Sequence, residues 1–133
     1  AVTAAPPSRA QVRYLRLLED ISDVSRHRAN YFAQRTLQEH DMLMYRPSMI
    51  AAAALHLALS MDDDMDSWPT VVLEFSGYTA ESLRPCCNKI ANHVNRSPTT
   101  ASKRKLDAVK KKFAAPKYLE VSNDLIAPTL ATD

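Results

Sequence analysis

The sequence predicts an all-α domain, helices packed around one buried central helix, on three observations. The 133-residue chain holds a single glycine, Gly77, where average usage of about 7% would supply roughly nine. Many-stranded antiparallel folds need Gly or Asn at positive φ in their tight hairpins, so that scarcity disfavours them. The stretch from Met49 to Met61 is apolar almost all round and rich in alanine; it is too long for a strand, and a helix apolar on every side is buried on every side. Hydrophobic residues make up 46% and charged residues 24%, ordinary proportions for a folded domain with a real core.

The elements follow in order. Residues 1–8, ending in Pro6-Pro7-Ser8, read as a linker arriving from upstream, and a chain that starts at Ala1 is expected to be a piece of a longer protein. Ser8 and Gln11 have the capping-box spacing. Beyond them Tyr14, Leu18 and Ile21 recur at helical intervals, with Arg9, Arg13, Arg16 and Asp20 off the stripe, which predicts a first helix over 9–21. Asp23 or Ser25 can cap a second helix over 26–41. Ala29, Phe32, Ala33, Leu37 and His40 fall on its inner side and Arg28, Arg35, Gln38 and Glu39 on its outer side. Arg46-Pro47-Ser48 restarts the chain, because proline is tolerated in a first helical turn, and the central helix runs over 49–61. Its small side chains, Ala52 and Ala53 among them, let neighbouring helices come close.

Residues 62–67 read as a solvated acidic loop. Trp68-Pro69 opens a short helix over 69–75 that Gly77 ends as a left-handed cap. Thr79 caps a helix over 80–95, on which Leu83, Cys87, Ile90 and Val94 lie opposite Arg84, Asn88 and Asn92. A further helix over 101–114 carries Leu106, Val109 and Phe113 inward and lysines outward, and a last turn from Lys117 frays into the end of the chain. The domain is thus expected over 9–121, with a tail over 122–133.

The scarcity of glycine also excludes function classes. Phosphate-cradling loops, dinucleotide fingerprints and nucleophile elbows each need two or more glycines at fixed spacing. His27, His40, His56 and His93 share no ligand spacing with Cys86-Cys87, so no metal site is expected; His56, inside an apolar helix, reads as a hydrogen-bonded core residue. The Asp62-Asp63-Asp64-Met65-Asp66 loop lacks the glycine and the closing Glu of a calcium loop. No carboxylate pair or activated nucleophile is visible, so neither catalysis nor a cofactor is expected. Adjacent cysteines cannot staple a long loop and suit a reducing compartment, one thiol packing as a small apolar group. No run of 18 apolar residues suggests a membrane span.

The net charge of +2 hides an asymmetry: residues 62–81 hold six acids and no Lys or Arg, while 84–118 hold ten Lys or Arg against Asp107 alone. Lys103-Arg104-Lys105 and Lys110-Lys111-Lys112 are the densest basic stretch, suited to nuclear import; without interleaved aromatics to stack bases, it gives little support to nucleic-acid binding. Arg16, Arg26 and Arg28 would cluster if the first two helices pack antiparallel. Such a cluster is a candidate contact for a phosphorylated partner segment, because guanidinium binds phosphate bidentately.

Several strings then occur in a familiar order. They are Tyr14-Leu15-Arg16, Thr36-Leu37-Gln38-Glu39-His40-Asp41, Arg46-Pro47-Ser48-Met49-Ile50-Ala51-Ala52-Ala53, Trp68-Pro69-Thr70, Ser76-Gly77-Tyr78-Thr79, and Lys105-Leu106-Asp107-Ala108-Val109 running into Phe113. With these the chain resembles the C-terminal cyclin fold of A/B-type mitotic cyclins over roughly residues 12–121. The resemblance implies five helices around the alanine-rich third one, with Pro47-Ser48 starting that helix and Ser76-Gly77-Tyr78 forming the turn before the next. It also implies a regulatory subunit of a cyclin-dependent kinase that does no chemistry itself, found in nucleus and cytoplasm. The family's main kinase-gripping surface lies in a preceding N-terminal cyclin box that this chain does not contain. The alternative from another class is a cyclin-fold module of a transcription factor, whose DNA binding would weaken steeply with salt.

Overall fold

A computed structural model describes residues 8–36 and 39–95. Among these there are five α-helices and no strand: α1 (Arg9–Arg16), α2 (Asp23–Thr36), α3 (Pro47–Ser60), α4 (Thr70–Ser76) and α5 (Ala80–Asn95), with a 3₁₀ turn, His40–Met42, between α2 and α3. The all-α class and the five-helix count agree with expectation. The predicted helix over 101–114 and both chain ends lie outside the described residues.

The central element is α3. Every residue from Ala51 to Leu59 is buried, and α2, α5 and α1 all pack on it. Ala52 and Ala53 are fully enclosed. With only a methyl group there, α5 approaches closely enough for the Cys87 thiol to donate to the Ala53 carbonyl at 3.3 Å. Pro47 occupies the first turn of α3, where no amide is missed. His56 is a satisfied core residue: its Nδ1–H donates to the Ser67 carbonyl at 2.7 Å, and its ring meets the Trp68 indole edge-on at 5.4 Å.

Several local expectations are corrected. The first helix stops at Arg16, not 21, because Leu17 and Leu18 bond back to Tyr14 and Leu15 and tighten the chain into turns; Leu18 and Ile21 still enter the core. Ser8 Oγ accepts from the Gln11 amide at 3.2 Å, but the Gln11 side chain turns to Asn30 instead of closing the capping box. The second helix begins at Asp23 under a cap from Ser22, whose Oγ accepts from the Ser25 amide at 3.1 Å. Ser25 is buried and donates to Asp62 at 3.0 Å, as Ser22 does at 3.3 Å. The acidic loop is therefore tied to α2 at Asp62, while Asp63, Asp64 and Asp66 are exposed.

The helix is described as far as Thr36, whose hydroxyl donates to the carbonyls of Phe32 and Ala33, and a separate 3₁₀ turn begins at His40. His40, expected inside, is exposed, and Met42 fills the core in its place. Arg35, expected outside, is buried for a reason given below. Leu37 and Gln38 lie outside the described residues. Both thiols of Cys86-Cys87 are buried and free, not one.

Candidate interaction site

The motif residues that are scattered along the sequence meet at one node. Tyr14 Oη on α1 donates to the Ser48 carbonyl at 3.3 Å, and Ser48 Oγ shares a hydrogen bond with Tyr78 Oη at 2.8 Å. Trp68 Nε1–H donates to the Tyr78 carbonyl at 2.9 Å. Between α4 and α5 the chain turns through Gly77, whose φ of 77° is the left-handed cap expected there; Tyr78 then accepts its own local support, its amide donating to Ser76 Oγ at 3.1 Å. Burial pushes the Tyr14 phenol above its ordinary range, and neighbouring Tyr78 adds to the effect. This node ties α1, the start of α3 and the α4–α5 turn together, and two further features stand out on the fold, one open and one buried.

One is a shallow cleft of about 400 Å³ between α1 and α2, lined by Val12, Leu15, Arg16, Leu18, Glu19, Arg26 and Asn30. Gln11 bonds to Asn30, while Arg16 further along α1 lines the same cleft as Arg26 earlier on α2, so the two helices lie antiparallel here. Two of the three predicted arginines, Arg16 and Arg26, line this one cleft. Arg28 instead lies toward Asp62, whose carboxyl is held below its usual range first by the Asp64 amide, then by Ser25 and Ser22, with Arg28 contributing. Arg26 pairs with Asp23 at 3.1 Å in a solvent-exposed contact. Such a pair contributes at most about 1 kcal/mol and exchanges readily for another anion. Two arginines lining one open cleft offer guanidinium donors suited to a phosphate, and Glu19 in the same lining disfavours a second anionic group there.

The other feature is a buried polar cluster joining α2 to α5. Arg35, 4% exposed, donates from Nη1 to Glu39 at 3.0 Å and from Nη2 to the His93 carbonyl at 2.7 Å. His93 Nε2–H donates to Asp41 at 2.7 Å, with Glu39 3.6 Å from its other ring nitrogen. The guanidinium is buried because its charge and donors are met inside. Sequence reasoning missed this cluster; the i, i+4 spacing of Arg35 and Glu39 was its only local signal. Asn30 and Glu19 were also missed as cleft residues, having no charge pattern to mark them. Among the described residues no group of His, Cys, Asp and Glu is placed to hold a metal ion, and no helix is long and apolar enough to cross a membrane.

The comparisons with known proteins agree with this architecture. Residues 11–125 match the family model described as the cyclin C-terminal domain. The chain is similar to the G2/mitotic-specific cyclin-B of Hydra viridissima, 38% identical over 101 residues, covering 75% of this chain and 24% of that protein. The G2/mitotic-specific cyclin-B of Patella vulgata is 33% identical over 102 residues, 76% of this chain and 24% of its own. The G2/mitotic-specific cyclin-B2 of Rana japonica is 34% identical over 102 residues, 76% and 25% respectively. The chain thus spans about a quarter of the length of these relatives.

Proposed function

We propose, for a chain that belongs to the cyclin C-terminal domain family, the role of the C-terminal half of a mitotic, B-type cyclin that regulates a cyclin-dependent kinase. The observation that carries this reading is the similarity to proteins named as G2/mitotic-specific cyclin-B across three quarters of the chain. The physical form fits the role. A regulator of this kind works by presenting a rigid helical surface, which biases a kinase between two arrangements of its active site, and needs no reacting group of its own. The node of Tyr14, Ser48, Trp68 and Tyr78 supplies that rigidity. The direct grip on the kinase is assigned mainly to an N-terminal cyclin box, with this domain supporting it. Co-purification of the full-length product with a cyclin-dependent kinase, followed by a kinase assay, tests the reading. Absence of both binding and stimulation overturns it.

Within that role, the cleft of Arg16 and Arg26 serves as a docking point for a phosphorylated segment of a partner or substrate. The support is the convergence of two arginines from different helices on one open cleft, with an exchangeable carboxylate on Arg26. The expected result is that a phosphopeptide binds the wild-type chain more tightly than its unphosphorylated form, and that the Arg16→Ala, Arg26→Ala double variant removes the difference. Unchanged affinity in that variant sinks the assignment. Arg28, which lies toward Asp62, is the internal comparison. Distribution between nucleus and cytoplasm, with Lys103–Lys105 and Lys110–Lys112 as an import signal, is proposed on composition alone; a fluorescent fusion that stays cytoplasmic after those lysines are intact rules it out.

A further inference from the structure

Val72 is the buried residue of α4, while Val71 and Phe75, one turn apart on its outer side, are 45% and 54% exposed. They are not isolated. Val71 lines a shallow depression of about 400 Å³ together with the half-buried Leu17, Met65 and Pro69. Phe75, a turn further along α4, sets its ring edge-on to Tyr14 at 6.1 Å, and Tyr14 stands one turn before Leu17 in the chain. The apolar surface therefore follows the seam between α1 and α4. Single exposed apolar side chains need no explanation, but a contiguous apolar patch with a charged rim is the anatomy of an interface.

The rim selects the kind of partner. Glu19, Asp20 and Asp66 share the lining of that depression, and Arg13 and Arg16 of α1 lie outside it. Glu74 stands exposed beside Phe75 on α4. Neither Glu19 nor Asp20 has a basic partner among the described residues, so both carboxylates are available to a cation from outside. We propose that this face docks a segment of a partner protein in which a large apolar side chain is flanked by Lys or Arg. The apolar side chain seats against Leu17, Val71 and Phe75, and the flanking cations meet Glu19, Asp20 and Asp66. The face is the charge opposite of the Arg16–Arg26 cleft, from which the ridge of Leu18 and Glu19 divides it; a phosphorylated or acidic segment suited to that cleft is repelled here. Residues 1–7 of the chain itself contain neither Lys nor Arg and lack the required chemistry.

A displayed library of short random peptides, selected on the immobilised 133-residue chain, supplies the probe. Peptides retained by the wild type and lost on the Val71→Ser, Phe75→Ser double variant are expected to share a large apolar residue flanked by Lys or Arg. Charge reversal then tests the rim with the apolar face intact, and it alone decides if the serine variant loses its helical signal. Glu19→Lys with Asp20→Lys is expected to weaken the selected peptide at least about fivefold. Asp63→Lys with Glu81→Lys makes the same change in net charge at exposed acids outside the lining, and should leave affinity within about twofold. Selected peptides without basic residues, equal weakening by the two charge variants, or no peptide that depends on this face overturns the proposal. Sedimentation provides a further check: wild-type dimers that Phe75→Ser dissociates would overturn it in favour of a second copy on α4.

Discussion

At position 77 the backbone sits at φ 77° with its amide bonded to the Leu73 carbonyl at 2.9 Å, which closes α4 and aims the chain into α5. An L-residue in that left-handed conformation suffers a contact between its Cβ and the following carbonyl worth roughly 1–2 kcal/mol. No atom lies within 4 Å of a Cβ built at this glycine, so sterics with the rest of the fold add nothing. Gly77→Ala is therefore expected to lower the unfolding free energy by about 1 kcal/mol, part of the backbone cost being offset by the stiffer unfolded chain. Gly77→Asn should cost less, since Asn tolerates the left-handed region. Urea unfolding of the two variants beside the wild type checks both the size and the order; an alanine variant as stable as wild type contradicts this account of the turn.

The helices differ in how openly the sequence declares them. Met49 to Met61 states its own burial through composition, and α5 states its inner face through Leu83, Cys87 and Ile90, all fully enclosed. Gly77 and Thr79 mark their caps by residue type, Thr79 Oγ1 accepting from the Ser82 amide at 3.1 Å. What local pattern does not carry is a partner far away in the chain. Arg35 looks like a solvent-facing residue until His93, 58 positions on, supplies its second acceptor; Asp62 looks like a solvated loop acid until Ser22 and Ser25 find it. The candidate cleft was half legible for the same reason. Charge alone grouped three arginines, but only the register of α1 against α2 separates Arg28 from the other two. The α2–α5 cluster gives the prediction at this scale. Arg35→Met removes the guanidinium that holds Glu39 and the His93 carbonyl, and breaking a buried pair from one side costs about 3–5 kcal/mol. Glu39→Gln in addition should cost markedly less than the two single changes together, a coupling of at least about 1 kcal/mol in a double-mutant cycle. Additive losses would mean that the guanidinium and carboxylate act independently.

Across the whole molecule, the stability of a core organised on α3 should carry the signature of the histidine in that helix. Burial lowers the His56 pKa below its ordinary 6.5; the Ser67 hydrogen bond opposes it, Arg84 adds a lesser push downward and Asp66 a lesser one upward. His27 is lowered as well, chiefly by burial. A base whose pKa is lower folded than unfolded binds its proton more readily in the unfolded chain. Its contribution to stability is then complete above the unfolded pKa and is lost as pH falls from about 6.5 toward the folded value. The unfolding free energy is accordingly expected to be level near pH 7–8 and to decline below about 6.5, with a slope of up to about 1.4 kcal/mol per pH unit for each such histidine. Asp62 adds a loss of its own, but with its pKa held below the ordinary 3.8 that loss belongs to a more acid range. His56→Gln keeps a donor for the Ser67 carbonyl and cannot take up a proton. Urea unfolding from pH 8 to pH 5 should show the variant with a shallower decline than wild type, even where its stability at pH 8 is lower. Parallel curves would mean that His56 does not titrate with unfolding, and that the acid sensitivity of the fold lies in other groups.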